Sequence, residues 1–265
     1  MSQTIADPPD PDGAGGRRIL LVRHGESTAN VAAGKAEREG LEAIDVEARD
    51  ADVRLTELGR RQAATVADAL RAQLSSSSLA ETRIWSSPYR RAVETARIAT
   101  GAPVDLDAPH SPHDGFALDE RLRDRELGIL DTLTTLGVEA RFPEEANRRR
   151  WLGKFYYRPP GGEAWTDVAL RVRSFLRDTV AHDSKPLVLF THDAVVSVFA
   201  YVLLHLDEIR LDRFLAERVV GNASVTSFSS DAAGAWTLDS FGDASHIDAA
   251  GVAATDHAGT DDDAS

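Results

Sequence analysis

No cysteine occurs among the 265 residues, which excludes disulfide bonds and thiolate-bound metals. Basic residues are a minority, with 30 Lys and Arg against 43 Asp and Glu, so the formal net charge is −13. A net-acidic chain disfavours nucleic acid as the main partner, because the phosphate backbone binds clustered Lys and Arg. Long apolar runs are also missing, since the most apolar segment, 194–206, is too short to span a bilayer and contains Ser and His. We therefore expect a cytoplasmic protein with no membrane and no nucleic-acid partner.

The two ends of the chain lack the apolar patterns that build a core. Residues 1–17 contain clusters of Pro and Gly, and residues 248–265 are rich in Ala, Gly and Asp. We predict that the first segment is disordered and that the second is a disordered acidic tail. The remaining residues, 18–247, suffice for one substantial core, and we interpret them as a single domain. No coiled-coil pattern is present, so the sequence indicates no oligomeric state.

Short apolar runs alternate with helical patterns along this domain. The helix over 57–74 is the clearest, because apolar residues recur every four positions and Thr56 precedes it as an N-cap. Alternating strands and helices predict an α/β fold, a three-layer sandwich whose mostly parallel central sheet has helices on both faces. The other predicted elements are strands over 18–23, 83–86, 104–106, 186–191, 224–229 and 235–241, and helices over 89–100, 164–181 and 194–206.

The first predicted strand runs directly into the triplet Arg23-His24-Gly25. A strand that stops at Gly and small polar residues ends where open α/β sheets place their ligand sites. Imidazole can form a covalent intermediate, and a neighbouring Arg can hold a dianion through two parallel hydrogen bonds. By itself, the triplet fits a structural histidine at a strand end equally well.

Two further strand ends carry the same residue types. One later strand is followed by His192, and another by Ser87, which suits the N-cap of the next helix. That helix has Arg90 and Arg91 in its first turn, where the helix dipole also favours anions. Because the carboxyl ends of parallel strands meet at one edge of a sheet, the three strand ends together predict an anion site.

Additional motifs accompany these residues: Leu55-Thr56-Glu57-Leu58-Gly59, the stretch 86–96, Pro160-Gly161-Gly162-Glu163 and Asn222-Ala223-Ser224. With them, the chain resembles the histidine phosphatase superfamily. That superfamily contains the cofactor-dependent phosphoglycerate mutases and the bisphosphatase domain of the bifunctional fructose-2,6-bisphosphate enzyme. The resemblance extends over residues 18–247 and implies a phosphoglycerate mutase-like fold.

The resemblance also implies phosphoryl transfer without a metal or another cofactor, in which His24 attacks phosphorus and becomes a phosphohistidine. The charge of the transferring group spreads over its equatorial oxygens, so fixed cations can stabilise it. Of two neighbouring arginines, Arg91 is assigned to this role because the family pattern places this residue directly before Ala, here Ala92. The phosphate-binding residues that the resemblance implies are Arg23, Ser27, Asn30, Arg91 and His192.

The proton donor for the leaving group departs from the family pattern. The family usually has a Glu four residues before a Gly, and here Asp124 stands four residues before Gly128. Because aspartate is one methylene shorter, Glu126 and Asp193 are alternative donors. Asp193 is included since a His-Asp pair supplies the acid in the phytase and acid phosphatase branch.

Two inserts are expected to form a cap over the site. Residues 31–53 are acidic and show no clear period, so we interpret them as an excursion of the chain. Residues 131–162 are rich in Arg and aromatics, which fits either a surface helix with a packed aromatic loop or a substrate cap. In the second case Lys154 or Arg158 would bind a further anionic group. Three arginines of the helix over 164–181 are assigned to a solvated face: Arg171, Arg173 and Arg177.

The resemblance favours a phosphatase over a mutase. The mutase pattern usually has an aromatic residue where this chain has Leu127, and the segment 157–163 is closer to the bisphosphatase domain. We therefore predict a phosphomonoester hydrolase whose partner is a small phosphorylated substrate. A phosphoglycerate mutase and a catalytically silent phospho-ligand-binding module are the alternatives.

Overall fold

The computed structural model describes residues 16–74, 81–102, 115–180 and 185–256. The strands of this described part are β1 Arg18–Arg23, β2 Arg83–Ser86, β3 Ala117–Leu118, β4 Leu187–Thr191, β5 Val225–Ser230 and β6 Trp236–Asp243. These six strands form one sheet in the order β3-β2-β4-β1-β5-β6. The first four strands of this order are parallel, and β5 and β6 pair antiparallel at the end of the sheet.

Helices cover both faces of the sheet, which confirms the predicted three-layer α/β fold. The helices are α1 Thr28–Glu39, α2 Glu57–Leu74, α3 Arg90–Thr100, α4 Thr135–Arg141, α5 Pro143–Leu152, α6 Trp165–Thr179, α7 Asp193–Leu203, α8 Glu208–Ala216 and α9 Ser245–Ala249. Side chains of β1 alternate between the faces of the sheet. Ile19 and Leu21 pack with α6 and α7 on one face, while Leu20 and Val22 pack with α2, α3 and α9 on the other. None of the helices in the described ranges is long and apolar enough to cross a membrane.

The register of the parallel strands brings three chain segments to one edge. Arg23 at the end of β1 lies opposite Thr191 at the end of β4, and Ser86 of β2 lies opposite Phe190. The three residues that directly follow these strands therefore lie side by side at this edge of the sheet. They are His24 after β1, Ser87 after β2 and His192 after β4.

The loop after β1 packs tightly against the start of α2. Thr56 caps α2 as predicted, because its hydroxyl accepts a hydrogen bond from the Gly59 amide at 2.9 Å. A Cβ atom on Gly59 would overlap the backbone oxygen of Glu26, and one on Gly25 would overlap the backbone oxygen of Gly59. Glycine at these two positions thus lets the helix and the loop approach each other.

Replacing Gly59 with Ala is expected to lower the free energy of unfolding by about 1–3 kcal/mol, because the neighbour is backbone and cannot rotate away. The better helix propensity of Ala, about 1 kcal/mol, offsets only part of this loss. Urea denaturation monitored by circular dichroism measures the effect. Arg61→Ala, at an exposed position of the same helix, is the control and should change stability by less than about 0.5 kcal/mol. A Gly59→Ala protein as stable as the native one would contradict the close approach.

The insert predicted over 31–53 as an excursion is partly helical, so that prediction is wrong for its first half. Helix α1 begins after Ser27 and ends at Gly40, whose φ of 66° favours glycine. The second insert, 131–162, contains α4 and α5 followed by a loop in which Tyr157 is buried. Of the two interpretations given for this segment, the helix with a packed aromatic loop fits the structure.

Several predicted boundaries differ from the structure. Helix α3 begins at Arg90 with Tyr89 as its N-cap, whereas Ser87 was predicted in that position. At the N-terminus, the carbonyl of Arg17 accepts a hydrogen bond from the amide of Ser230. Residues 1–15 of the predicted disordered segment lie outside the described part of the chain. The predicted edge strand over 104–106 also lies outside it, and β3 follows that segment.

The C-terminal prediction needs a correction. The predicted tail starts at residue 248, but the structure describes the chain to residue 256 and gives this segment fixed partners. Gln62 donates hydrogen bonds to the carbonyl of Ala253 and to the hydroxyl of Thr255, at 2.9 and 3.0 Å. The Thr255 carbonyl also accepts from the amide of Asn222 at 2.8 Å. Sequence composition missed this segment because backbone and small polar groups make its contacts.

Candidate active site

His24 lies at the end of β1 with its ring buried and its orientation fixed. Nδ1 is 2.8 Å from the carbonyl of Gly25, so it carries the proton and donates it there. The lone pair of Nε2 therefore faces the site, where it accepts from Nε of Arg91 at 3.1 Å. Burial lowers the pKa of His24 well below its usual value, and the charge of Arg91 lowers it further. The ring is thus neutral, and its Nε2 lone pair points into the site, as a nucleophile requires.

Two buried arginines flank this imidazole. Arg91, in the first turn of α3, binds Oδ2 of Asp124 through Nη2 at 2.8 Å. Arg23 donates to the carbonyl of Val220 at 2.5 Å and lies 3.5 Å from the carboxylate of Asp193. Burial works to lower the pKa of Arg91, but its carboxylate neighbours outweigh burial and raise it. The Arg91 guanidinium therefore keeps its charge, which makes the pocket suitable for an anion.

His192 stands directly after β4, with its ring 5.2 Å from that of His24, centroid to centroid. Its Nε2 is 2.9 Å from Oγ of Ser87, and its Nδ1 is 3.1 Å from Oδ2 of Asp124. Burial lowers the pKa of His192, while Asp124 opposes that shift. The two imidazoles and two guanidiniums meet at the edge of the sheet that the sequence predicts.

Asp124 completes this arrangement from the loop that follows β3. Burial works to raise the pKa of its carboxyl group, but the contacts with His192 and Arg91 outweigh burial and hold the pKa well below its usual range. Asp124 is therefore ionised when the pocket holds no substrate. The other two donor candidates have different neighbours, since Glu126 accepts from the hydroxyl of Tyr89 at 2.9 Å and Asp193 lies beside Arg23.

A buried ion network holds the Asp124 loop in place. Arg171 of α6 donates to the backbone carbonyls of Arg121 and Asp124, at 2.6 and 3.1 Å, and binds Glu163 at 3.1 Å. Glu163 also binds Arg123 at 2.7 Å. The prediction that Arg171 lies on a solvated face is therefore wrong. The two carbonyls belong to a loop that is 47 to 50 residues away in sequence, and helical periodicity carries no signal for them.

Asp50 is a site residue that the sequence reading missed. It lies in a short 3-10 turn of the first insert, and its carboxylate contacts the guanidinium of Arg91 at 2.8 and 3.2 Å. The carbonyl of Asp50 accepts from the same guanidinium at 2.6 Å. Nothing in an acidic loop without a period indicates which of its carboxylates faces the pocket.

Ser27 and Asn30 form the N-terminal cap of α1. The Asn30 amide donates to Oγ of Ser27 at 3.2 Å, and Oδ1 of Asn30 accepts from the Ser27 backbone at 3.0 Å. Asn222 donates to the same Oδ1 and to the backbone carbonyl of His24, both at 3.3 Å. These contacts place both predicted residues next to the His24 loop, with their polar atoms engaged in holding it.

The two cap cations that the sequence offers for a second anion have other partners. Arg158 forms a two-pronged ion pair with Asp167 at 2.5 and 2.7 Å. Nζ of Lys154 lies 4.9 Å from the ring centroid of Trp165. Both contacts tie the loop to the start of α6, as expected for a packed loop.

The ligand atoms of His24, Asp124 and His192 lie within 4.8 Å of one another, a spacing that a divalent cation can bridge. However, Arg91 contacts both Nε2 of His24 and Oδ2 of Asp124. A cation in this place would face a fixed positive charge at close range. The same charge attracts a phosphate dianion, so the site favours an anion.

The family comparison agrees with this geometry. Residues 19–244 match the family described as the histidine phosphatase superfamily (branch 1), and the chain belongs to that superfamily. It is a histidine phosphatase, an enzyme that hydrolyses phosphoric monoesters.

Its relatives include both phosphatases and mutase-like proteins. The chain is 29% identical over 222 residues to the glucosyl-3-phosphoglycerate phosphatase of Mycobacterium tuberculosis, covering 80% of this chain and 85% of the relative. It is also 29% identical to a probable phosphoglycerate mutase of Yersinia enterocolitica, over 87% of this chain and 95% of that protein. Among solved structures, a mycobacterial glucosyl-3-phosphoglycerate phosphatase with inorganic phosphate superposes with a TM-score of 0.63 at 26% identity, covering 87% and 99% of the two chains.

Proposed function

We propose that this enzyme hydrolyses a small phosphorylated metabolite through a phosphohistidine on Nε2 of His24. The observation that carries the proposal is the convergence of a neutral His24 with the buried Arg91 and His192 at one sheet edge. In the first step the N–P bond forms at Nε2 while the bond from phosphorus to the substrate oxygen breaks. In the second step water attacks phosphorus and releases inorganic phosphate.

The surrounding residues supply charge stabilisation and a proton. Arg91 and Arg23 bind the equatorial oxygens of the phosphoryl group. His192 adds a further hydrogen bond from Nδ1, the ring nitrogen that also lies 3.1 Å from Asp124. Asn30 contributes a neutral hydrogen bond through its side-chain NH2 group, and Ser27 exchanges its hydroxyl bond to Asn30 for one to the phosphoryl group. Asp124 protonates the leaving oxygen, a role supported by its position between Arg91 and His192.

A panel of phosphorylated metabolites, ranked by kcat/KM for phosphate release, tests the proposal and identifies the substrate. The panel includes glucosyl-3-phosphoglycerate, because a phosphatase of that substrate is among the relatives. Incubation with 3-phosphoglycerate and a trace of 2,3-bisphosphoglycerate separates the alternatives. A phosphatase releases phosphate, whereas a mutase interconverts the phosphoglycerates without release. A silent binding module would bind phosphate esters but turn none over.

Asp50 is expected to compete with the substrate for Arg91, because its carboxylate lies where a phosphoryl oxygen would bind that guanidinium. Replacing Asp50 with Ala should therefore lower the KM and the inhibition constant for inorganic phosphate by about fivefold. A change of this size corresponds to the free energy of one partly exposed ion pair. The kcat should stay within about twofold, because Asp50 takes no part in the proposed chemistry. Initial-rate kinetics with phosphate as inhibitor measure both constants.

Asp52→Asn is the matched control for this prediction. Asp52 lies in the same turn, but its partner is the exposed Arg49 at 2.7 Å. Its replacement should leave both constants unchanged. A KM that rises in Asp50→Ala would contradict competition and would indicate that Asp50 orients Arg91 for the substrate.

A further inference from the structure

A row of three side chains leads from the phosphate pocket into the protein. Oδ2 of Asp124 is 3.1 Å from Nδ1 of His192, and Nε2 of the same ring is 2.9 Å from Oγ of Ser87. His192 and Ser87 are fully buried. Nε2 of His192 is therefore paired with Ser87, while Nδ1 lies at ion-pair distance from Asp124 and forms no hydrogen bond to the residues that the structure describes. The proposed function gives Ser87 no role.

The position of Ser87 is fixed by the backbone. Its amide donates to the carbonyl of Phe190 at 2.9 Å, which continues the pairing of β2 with β4. The amide of Tyr89 donates to Oγ of Ser87 at 3.2 Å. The hydroxyl hydrogen can still rotate, so Ser87 can donate to a neutral Nε2 or accept from a protonated one.

The leaving oxygen needs a proton that Asp124 does not carry in the empty pocket, because Arg91 and His192 keep its carboxylate ionised. Binding a phosphate dianion adds negative charge, which favours uptake of a proton at this place. An imidazole that contacts the carboxylate on one side and a hydroxyl on the other can hold that proton.

We propose that His192 and Asp124 share the proton of the leaving group and that Ser87 is the positioning residue that keeps His192 able to hold it. In the substrate complex His192 is an imidazolium, with its Nε2 proton donated to Oγ of Ser87. As the bond from phosphorus to the substrate oxygen breaks, the Nδ1 proton of His192 moves to the Asp124 carboxylate, and the substrate oxygen takes the proton from the carboxyl group so formed. Asp124 is then ionised again, and the imidazole is neutral.

The second half of the reaction restores this state. Asp124 takes a proton from the attacking water as the hydroxide oxygen bonds to phosphorus and the N–P bond breaks. His192 recovers its Nδ1 proton from the carboxyl group. Protons and electron pairs thus balance over the cycle without a further reactant.

The inference rests on the proposed function and is tested with Ser87→Ala. We expect kcat/KM to fall about tenfold for the alkyl phosphate of the panel on which the native enzyme is most efficient, because the imidazolium loses a hydrogen bond to a charged group. For p-nitrophenyl phosphate kcat/KM should stay within about twofold, since nitrophenolate leaves without a proton. We compare kcat/KM because it reports formation of the phosphohistidine and excludes the hydrolysis step that the two esters share. The alkaline limb of the kcat profile for the alkyl ester should move to lower pH, because the dyad holds its proton less tightly.

Ser86→Ala is the matched control. Ser86 is a buried neighbour whose hydroxyl donates to the Ser87 carbonyl at 2.9 Å, so its loss perturbs the same backbone without touching His192. The ratio of kcat/KM for the two esters should be unchanged in this variant. This ratio does not depend on the fraction of folded enzyme, so partial unfolding leaves the comparison valid.

The outcomes separate the two proposals. A Ser87→Ala protein whose ester ratio and alkaline limb match those of the native enzyme overturns the shared proton and leaves the phosphatase proposal standing. An equal loss on both esters also overturns it, because that result assigns Ser87 a purely structural role. A native enzyme that releases phosphate from no ester overturns both proposals.

Discussion

Replacing His24 with Ala is expected to lower kcat/KM for every phosphomonoester by at least about 10⁴-fold, because the residue that bonds to phosphorus is lost. Substrate binding should persist, since both flanking arginines remain. Native enzyme incubated with ³²P-labelled substrate and quenched in alkali should retain label on the protein, because phosphohistidine is labile in acid. The variant should retain none.

His205→Asn is the control for this experiment. His205 is exposed, and its φ of 51° is one that Asn tolerates, so activity and labelling should both match the native enzyme. Label on a His24→Ala protein would place the covalent step on another side chain. Activity within about a hundredfold of the native value would exclude nucleophilic catalysis by His24.

Replacing Asp124 with Asn should lower kcat for alkyl phosphates by about 10²–10⁴-fold, the usual contribution of a general acid. For p-nitrophenyl phosphate the loss in kcat/KM, which reports formation of the phosphohistidine, should be much smaller. In the native enzyme a bound dianion favours protonation of the Asp124 and His192 pair, so kcat falls as the pH rises and the pair loses that proton. This alkaline limb should be absent in the variant, and a pH series of initial rates measures it.

The two alternative donors provide the comparison. Glu126→Gln should have a small effect, because its carboxylate is half-exposed and faces Tyr89. Asp193→Asn should mainly change the KM and leave the alkaline limb in place, because it removes the ion pair with Arg23. If either variant loses the alkaline limb while Asp124→Asn keeps it, the donor is that residue.

The sequence predicts the helices and strands of this fold best where large apolar side chains recur in a regular pattern. Strand β1 and helix α2 agree with their predicted bounds to the residue, because β1 is a run of buried Ile, Leu and Val and α2 buries Val66, Leu70 and Leu74 at four-residue spacing. Helix α1 was missed because the side chains that it buries are small, namely Ala33, Gly34 and Ala36. Its capping box is the local signal that was available.

The candidate site shows the same division. His24, Arg91, His192 and Asp124 were found because each stands at a strand end or in a motif that the family resemblance supplies. Asp50 and Arg171 reach the site from segments far from their partners in sequence, so neither periodicity nor a motif identifies them. Only the folded chain brings the acidic turn onto Arg91 and the helix α6 arginine behind Asp124.

The return of residues 253–255 to Gln62 and Asn222 has a consequence for biosynthesis. Asn222 steadies the loop that carries His24, and its own amide is held by Thr255. During translation, the segment that carries His24 is therefore synthesised long before residues 253–255, which hold Asn222 against it. Nascent enzyme should gain activity only after translation has passed residue 255 and that stretch has left the exit tunnel.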